Sequence, residues 1–272
     1  MLFTSCAATV ATMTRPIQAA TLAATLATAC IAIFMSVVSP AHAETAAEAQ
    51  GRYQACMDKT KIDAEAAFDD ATTWEGLGGG YPARHCALAA LIEIGHYDEA
   101  AQGLERLADA VRADARFKAR LLVQSARAWI AANNPKRAAA VADTALRLVP
   151  DTTDALLIRA EALALQGAYW EAADDLSRVL YSEPENVEAL VLRGAAYRQL
   201  DALDLAFDDL NRALALNPDH PEGLLERGIV HRLAKRKTEA RADWKRLIEV
   251  APKSQAARDA TANLYALDSG VE

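Results

Sequence analysis

Histidine, paired cysteine and clustered positive charge are all scarce in this chain, and each scarcity removes a class of chemistry. Five histidines (His42, His85, His96, His220 and His231) are spread through 272 residues. None forms an HxxxH or HExxH pair, so zinc has no ready ligand set. The four cysteines, Cys6, Cys30, Cys56 and Cys86, contain no CxxC spacing, which argues against a redox pair. Lys and Arg total 29 against 37 Asp and Glu, a net charge of −8. A chain that acidic is a poor surface for nucleic acid, where basic patches carry affinity. The acidic pairs Asp69-Asp70, Asp174-Asp175 and Asp208-Asp209 are adjacent along helical segments and do not face a common point. No DxDxDG loop accompanies them, so calcium is not indicated. Residues 76–80, Gly-Leu-Gly-Gly-Gly, lack the lysine and Ser/Thr of a phosphate loop and lie between two helical segments; they read as a helix stop and a loop. With no nucleophile–base set either, the sequence points away from an enzyme and implies no cofactor.

What is present begins with an apolar leader. Arg15 is the only charge before Glu44, and Ile17 to Val38 is an uncharged run ending in Ser39-Pro40-Ala41-His42-Ala43. This A-x-A ending predicts a secretory signal peptide, residues 1–43, cleaved after Ala43. The alternative is an uncleaved membrane anchor, since the 22-residue run is long enough to span a bilayer. Met13 is an alternative start. Cleavage would leave Cys56 and Cys86 as the remaining cysteines, and two cysteines in an oxidising compartment favour one disulfide. Abundant alanine and arginine, together with the A-x-A ending, suggest a bacterial periplasmic protein.

The rest of the chain is organised by a period of 34 residues. Pro150, Pro184, Pro218 and Pro252 keep that step, as do Ala138, Ala172, Ala206 and Ala240, and Arg159, Arg193 and Arg227. A fixed period of this length marks a repeat solenoid. Within each unit two apolar-periodic segments of helical length are joined by a short turn and closed by proline, which cannot continue a helix. Leu156, Ala160 and Leu163 share a face of one segment, and Ala172, Leu176 and Val179 a face of its partner. The fold class is therefore all-α, an α-α superhelix. Ala100 to Ala138 spans 38 residues, so the second helix there, or the loop after it, is expected to be longer by one turn.

These residues resemble the tetratricopeptide repeat family. Its pattern asks for a small residue in the first helix, then small, bulky and small residues along the second, and a closing proline. Gly194, Ala206, Leu210, Ala213 and Pro218 supply it, as do Gly228, Ala240, Trp244, Leu247 and Pro252, with Leu247 replacing a small residue. The resemblance implies a degenerate hairpin at 44–80 and five repeats across 81–254 (81–118, 119–152, 153–186, 187–220 and 221–254). A capping helix and tail at 255–272 follow, with Ser254 as N-cap. A Cys56–Cys86 disulfide would staple the degenerate hairpin to the next one. Arg159, Arg193 and Arg227 fall at a site usually apolar and inter-helical, and Asp175, Asp209 and Asp243 follow each by 16 residues. A ladder of ion pairs is expected, the alternative being an arginine row that reads acidic ligands. The family's concave groove projects onto Arg127, Leu157, Glu161, Leu165, Val191, Arg198, Gln199, Leu225, Ile229, Arg232 and Leu233. Their apolar members would be exposed unless a peptide or helix fills the groove. The resemblance thus implies a non-catalytic scaffold or adaptor with a protein or peptide partner, and no metal. An accessory subunit of an envelope enzyme or assembly complex, docked by an edge of the solenoid, is the alternative.

Overall fold

A computed structural model of the chain describes residues 45–269. The expected signal peptide, with Cys6, Cys30 and His42, lies outside the described residues. No strand occurs among the described residues, which form thirteen α-helices. They are α1 (Ala46–Thr60), α2 (Ala64–Trp74), α3 (Gly80–Ile94), α4 (Tyr97–Ala110), α5 (Ala115–Ala131), α6 (Pro135–Leu148), α7 (Thr153–Ala164), α8 (Tyr169–Ser182), α9 (Val187–Gln199), α10 (Leu203–Leu216), α11 (Pro221–Leu233), α12 (Lys237–Val250) and α13 (Gln255–Ser269). Odd-numbered helices are the first members of hairpins and even-numbered ones the second, with α13 as the cap. No described helix is long and apolar enough to cross a membrane.

Local chemistry explains the boundaries. Asn134, Asn186, His220 and Ser254 accept hydrogen bonds from the backbone N–H three residues on, which satisfies donors orphaned at a helix start. The turn inside each of the last four hairpins passes through one left-handed residue, occupied in succession by Asn133, Gly167, Asp201 and Lys235. These four also keep the 34-residue step, although only one is the glycine that such a conformation favours.

Packing follows the small-against-bulky interlock. Ala100, Ala138, Ala172, Ala206 and Ala240 are fully buried at the starts of the second helices, where a larger side chain would push the hairpin apart. A Cβ on Gly194 would lie 2.7 Å from Leu210, and one on Gly228 only 2.3 Å from Trp244. The two bulky residues occupy the space that the missing methyl leaves. At the C-terminal end Leu247, fully buried, packs in one cluster with Trp244, Leu214 and the cap residues Ala256 and Ala260. The larger Leu247 is thus met by small alanines, so α13 closes the final hairpin closely.

Two features depart from the sequence expectations. The four extra residues between Ala100 and Ala138 are not in the second helix or its loop. α4 has the same 14 residues as α6, α8, α10 and α12. Instead α5 has 17 residues where α7 has 12 and α9 has 13, an extra N-terminal turn capped by Asp114. The glycine run is also not an open loop. Residues Glu75–Gly79 make one π-helical turn, with Gly78 at φ 96°, and α3 begins directly at Gly80. A side chain on Gly79 would strike the Trp74 ring at 2.6 Å, so glycine lets the kink fold over the tryptophan.

At the N-terminal end Cys56 of α1 and Cys86 of α3 form a disulfide, with Cα atoms 6.2 Å apart. It joins the first two hairpins where a terminal repeat lacks a neighbour on one side. Reduction, or the double substitution Cys56→Ser/Cys86→Ser, should lower stability by about 3–4 kcal/mol in the chain-entropy account. The loss should be concentrated in faster hydrogen exchange of α1 and α2. Unchanged exchange in those helices would remove the disulfide from the account of that end.

Candidate functional site

The first helices pack side by side, α7 against both α5 and α9, and α9 against α11. Their shared face is the groove expected from sequence, and the structure divides its predicted residues into three groups. Glu161, Leu165, Arg198 and Gln199 line one cleft of about 400 Å³ between α7 and α9, closed by Tyr169, Leu176 and Leu192. Arg127 and Leu233 are exposed, and Leu225, Ile229 and Arg232 are half-buried; Leu225 and Ile229 pack on the Trp244 cluster.

Leu157 and Val191 require a correction. They are 5 % and 4 % exposed and belong to the main hydrophobic core, so they offer nothing to a ligand. A first helix in a solenoid is covered by its hairpin partner and also by the next first helix. Residues at the border of the inner face are therefore buried by that neighbour. Leu192 and Tyr169, which the sequence reading missed, take their place. Leu192 directly follows Val191, so the error is one residue of helical phase.

The cleft has a charge of its own. Burial raises the pKa of Glu161 above the usual carboxylate range, Glu188 adds to the rise, and Arg127 opposes it. No hydrogen bond to the Glu161 carboxylate exists among the described residues. Arg198 is spoken for, its Nε donating to Glu226 at 2.6 Å across to α11. A half-buried carboxylate beside Leu165, which is 59 % exposed, can hold a ligand with an apolar side chain next to a cationic one.

The arginine column is different. Arg159 donates Nε and Nη2 to Asp175 at 2.7 and 2.6 Å, Arg193 to Asp209 at 2.7 and 2.8 Å, and Arg227 to Asp243 at 2.8 and 2.6 Å. Each fork is bidentate and joins the two helices of one hairpin. The bonds to Asp175 and Asp209 also hold Arg159 and Arg193 more firmly protonated than ordinary guanidinium groups. The remaining Nη1 reaches back to the preceding hairpin, meeting Asp143 at 2.9 Å, Ser177 at 2.9 Å and Asn211 at 3.0 Å. All three nitrogens of each guanidinium are thus engaged by the protein itself, including the fork that would read a carboxylate. The column sets register, both within a hairpin and between hairpins. Among the described residues no group of three or more His, Cys, Asp or Glu comes together to hold a metal.

Comparison with known proteins agrees with the architecture. The tetratricopeptide repeat family profile matches residues 123–182, 171–221 and 208–257. A tetratricopeptide repeat protein from Parabacteroides merdae superposes with a TM-score of 0.57 at 21 % identity, covering 70 % of this chain and 73 % of that one. A thermophilic tetratricopeptide repeat protein of Thermus thermophilus gives a TM-score of 0.56 at 23 % identity, over 68 % of this chain and all of the other (100 %). MamA from Desulfovibrio magneticus gives 0.53 at 20 % identity, over 69 % and 98 % of the two chains. At such identities the likeness is one of fold. No curated protein matches the sequence.

Proposed function

This chain belongs to the tetratricopeptide repeat family, and on that premise we propose that it is a non-catalytic interaction scaffold of the bacterial envelope that holds a peptide or helix in its concave groove. The observation that carries this reading is the α7–α9 cleft, where exposed Leu165 sits beside the unpaired Glu161 carboxylate. An amphipathic helix or extended peptide with an apolar anchor and a neighbouring lysine or arginine matches that pair. Support for the periplasm comes from the A-x-A leader and from a disulfide, which persists in oxidising compartments.

Leu165→Asp tests the reading. The side chain is exposed, so the fold should tolerate the change, while a buried apolar anchor turned to a charge should weaken partner binding about tenfold or more. Glu161→Gln should weaken it less and reduce its salt dependence. The measurement is recovery of a partner from envelope extract by the wild-type and substituted chains, quantified against each other. A partner retained equally by wild type and Leu165→Asp would move the contact to an edge of the solenoid, as expected of an accessory subunit.

A further inference from the structure

A second cleft, of about 480 Å³, lies at the N-terminal end of the row of first helices. One face of each of three helices builds it: Gln50 and Tyr53 from α1, Tyr81 and His85 from α3, and Phe117, Arg120 and Gln124 from α5. It exists because α5 departs from the repeat. The extra N-terminal turn carries Phe117, whose ring meets Tyr81 edge-on with centroids 5.8 Å apart. Arg120, one turn further along, lies over the Phe117 ring at 5.4 Å. A repeat of regular length would supply no aromatic there.

Several polar groups of this cleft are committed to one another, which leaves donors at Arg120 and Gln124. His85 Nε2 is 2.8 Å from Gln124 Oε1, and its Nδ1 is 2.8 Å from the Tyr53 hydroxyl. The amide oxygen accepts, so Nε2 carries the proton and Tyr53 donates to Nδ1. Burial also lowers the His85 pKa, against the opposing pull of Gln124, which keeps the ring neutral. Gln124 accepts from His85 through its oxygen and keeps both amide N–H donors. Arg120 meets no carboxylate among the described residues and is exposed. Among the described residues no Asp or Glu lines this cleft. Aromatic walls, an unpaired guanidinium and amide donors together favour an anion attached to a flat or bulky apolar group.

We propose that this cleft binds a carboxylate carried on an aromatic or branched apolar body, the carboxylate on Arg120 and the apolar part against the Tyr81 and Phe117 rings. Such a group is offered by a free N-acylated amino acid or by the last residue of a peptide. The site is separate from the α7–α9 cleft, so Leu165→Asp leaves it unchanged.

Calorimetric titration of the protein recovered from cells expressing the full sequence tests this. N-acetyl-phenylalanine should bind saturably, while its amide and phenethylamine should bind at least tenfold more weakly. Tyr81→Ala and Arg120→Ala should each weaken the acid about tenfold without changing the melting temperature, because both side chains are exposed. Triglycyl-phenylalanine binding more tightly than the single acylated residue assigns the site to a chain end; equal affinity assigns it to the free acid. Equal binding of acid and amide, wild-type affinity in both variants, or no saturable heat from either acid would overturn the proposal.

Discussion

Trp244→Ala should destabilise the C-terminal half of the solenoid by about 3–5 kcal/mol, the range for removing a fully buried tryptophan. Trp244 is 0 % exposed and sits at the meeting point of α11, α12 and the cap. Its ring fills the space left by Gly228, and its indole N–H donates to the Leu225 carbonyl at 3.2 Å. Truncation therefore opens a cavity and removes that hydrogen bond together. For a domain of this size the melting temperature should fall by roughly 10 °C. Gly228→Ala approaches the same contact from the other side and should cost about 1–3 kcal/mol by overpacking. In a Trp244→Leu background that cost should largely vanish, since the two residues share one space. Thermal melts of the single and double variants measure the coupling, and additive losses would show that the interlock is not the cause.

The second large effect belongs to the arginine column. Asp209→Ala leaves the Arg193 guanidinium with the Ser177 hydroxyl and the Tyr197 ring but no counter-ion, in a site where the Arg193 side chain is only 16 % exposed. Breaking such a pair from one side should cost about 3 kcal/mol, because the remaining charge stays desolvated without a counter-ion. The double substitution Arg193→Met/Asp209→Leu should recover most of that loss, because apolar residues of similar size need no partner. A repeat array does not always unfold in a single step. Hydrogen exchange on α9 and α10, beside the denaturant midpoint, therefore reports the effect where it arises. A loss below about 0.5 kcal/mol, the level of an exposed pair, would mean that the column is solvated and carries little.

The architecture was legible in the sequence because a solenoid repeats its packing rule in residue identity. The small residues at Ala172, Ala206 and Ala240, the closing prolines, and the arginines with aspartates 16 residues later all recur in register. What the sequence hid recurs in geometry without recurring in residue type. The third contact of each arginine goes to Asp143, Ser177 or Asn211, three different side chains offering one oxygen. The left-handed turn is filled by Asn133, Gly167, Asp201 and Lys235. Neither column looks like a column when read as letters.

The groove was harder, because lateral neighbours decide what is exposed. Leu157 and Leu165 are both leucines on α7 or at its end, yet one is 5 % and the other 59 % exposed. Periodicity within a single helix cannot separate them, since α9 covers the first and not the second. The extra turn of α5 left a signal in the 38-residue spacing. A spacing says that residues were added and not which helix absorbed them. Its placement in a first helix carries Phe117 into the N-terminal cleft, a site that no motif in the chain announces.

The most direct test of the scaffold reading is site-specific photocrosslinking in cells. A photoreactive phenylalanine analogue placed at Gln199, on the rim of the α7–α9 cleft, is compared with one at Tyr181, which is 92 % exposed on the second-helix side. A partner held in the groove gives a discrete adduct from Gln199, lost with Leu165→Asp, and none from Tyr181. An adduct from Tyr181 alone would contradict the groove and place the partner on the opposite face of the repeats.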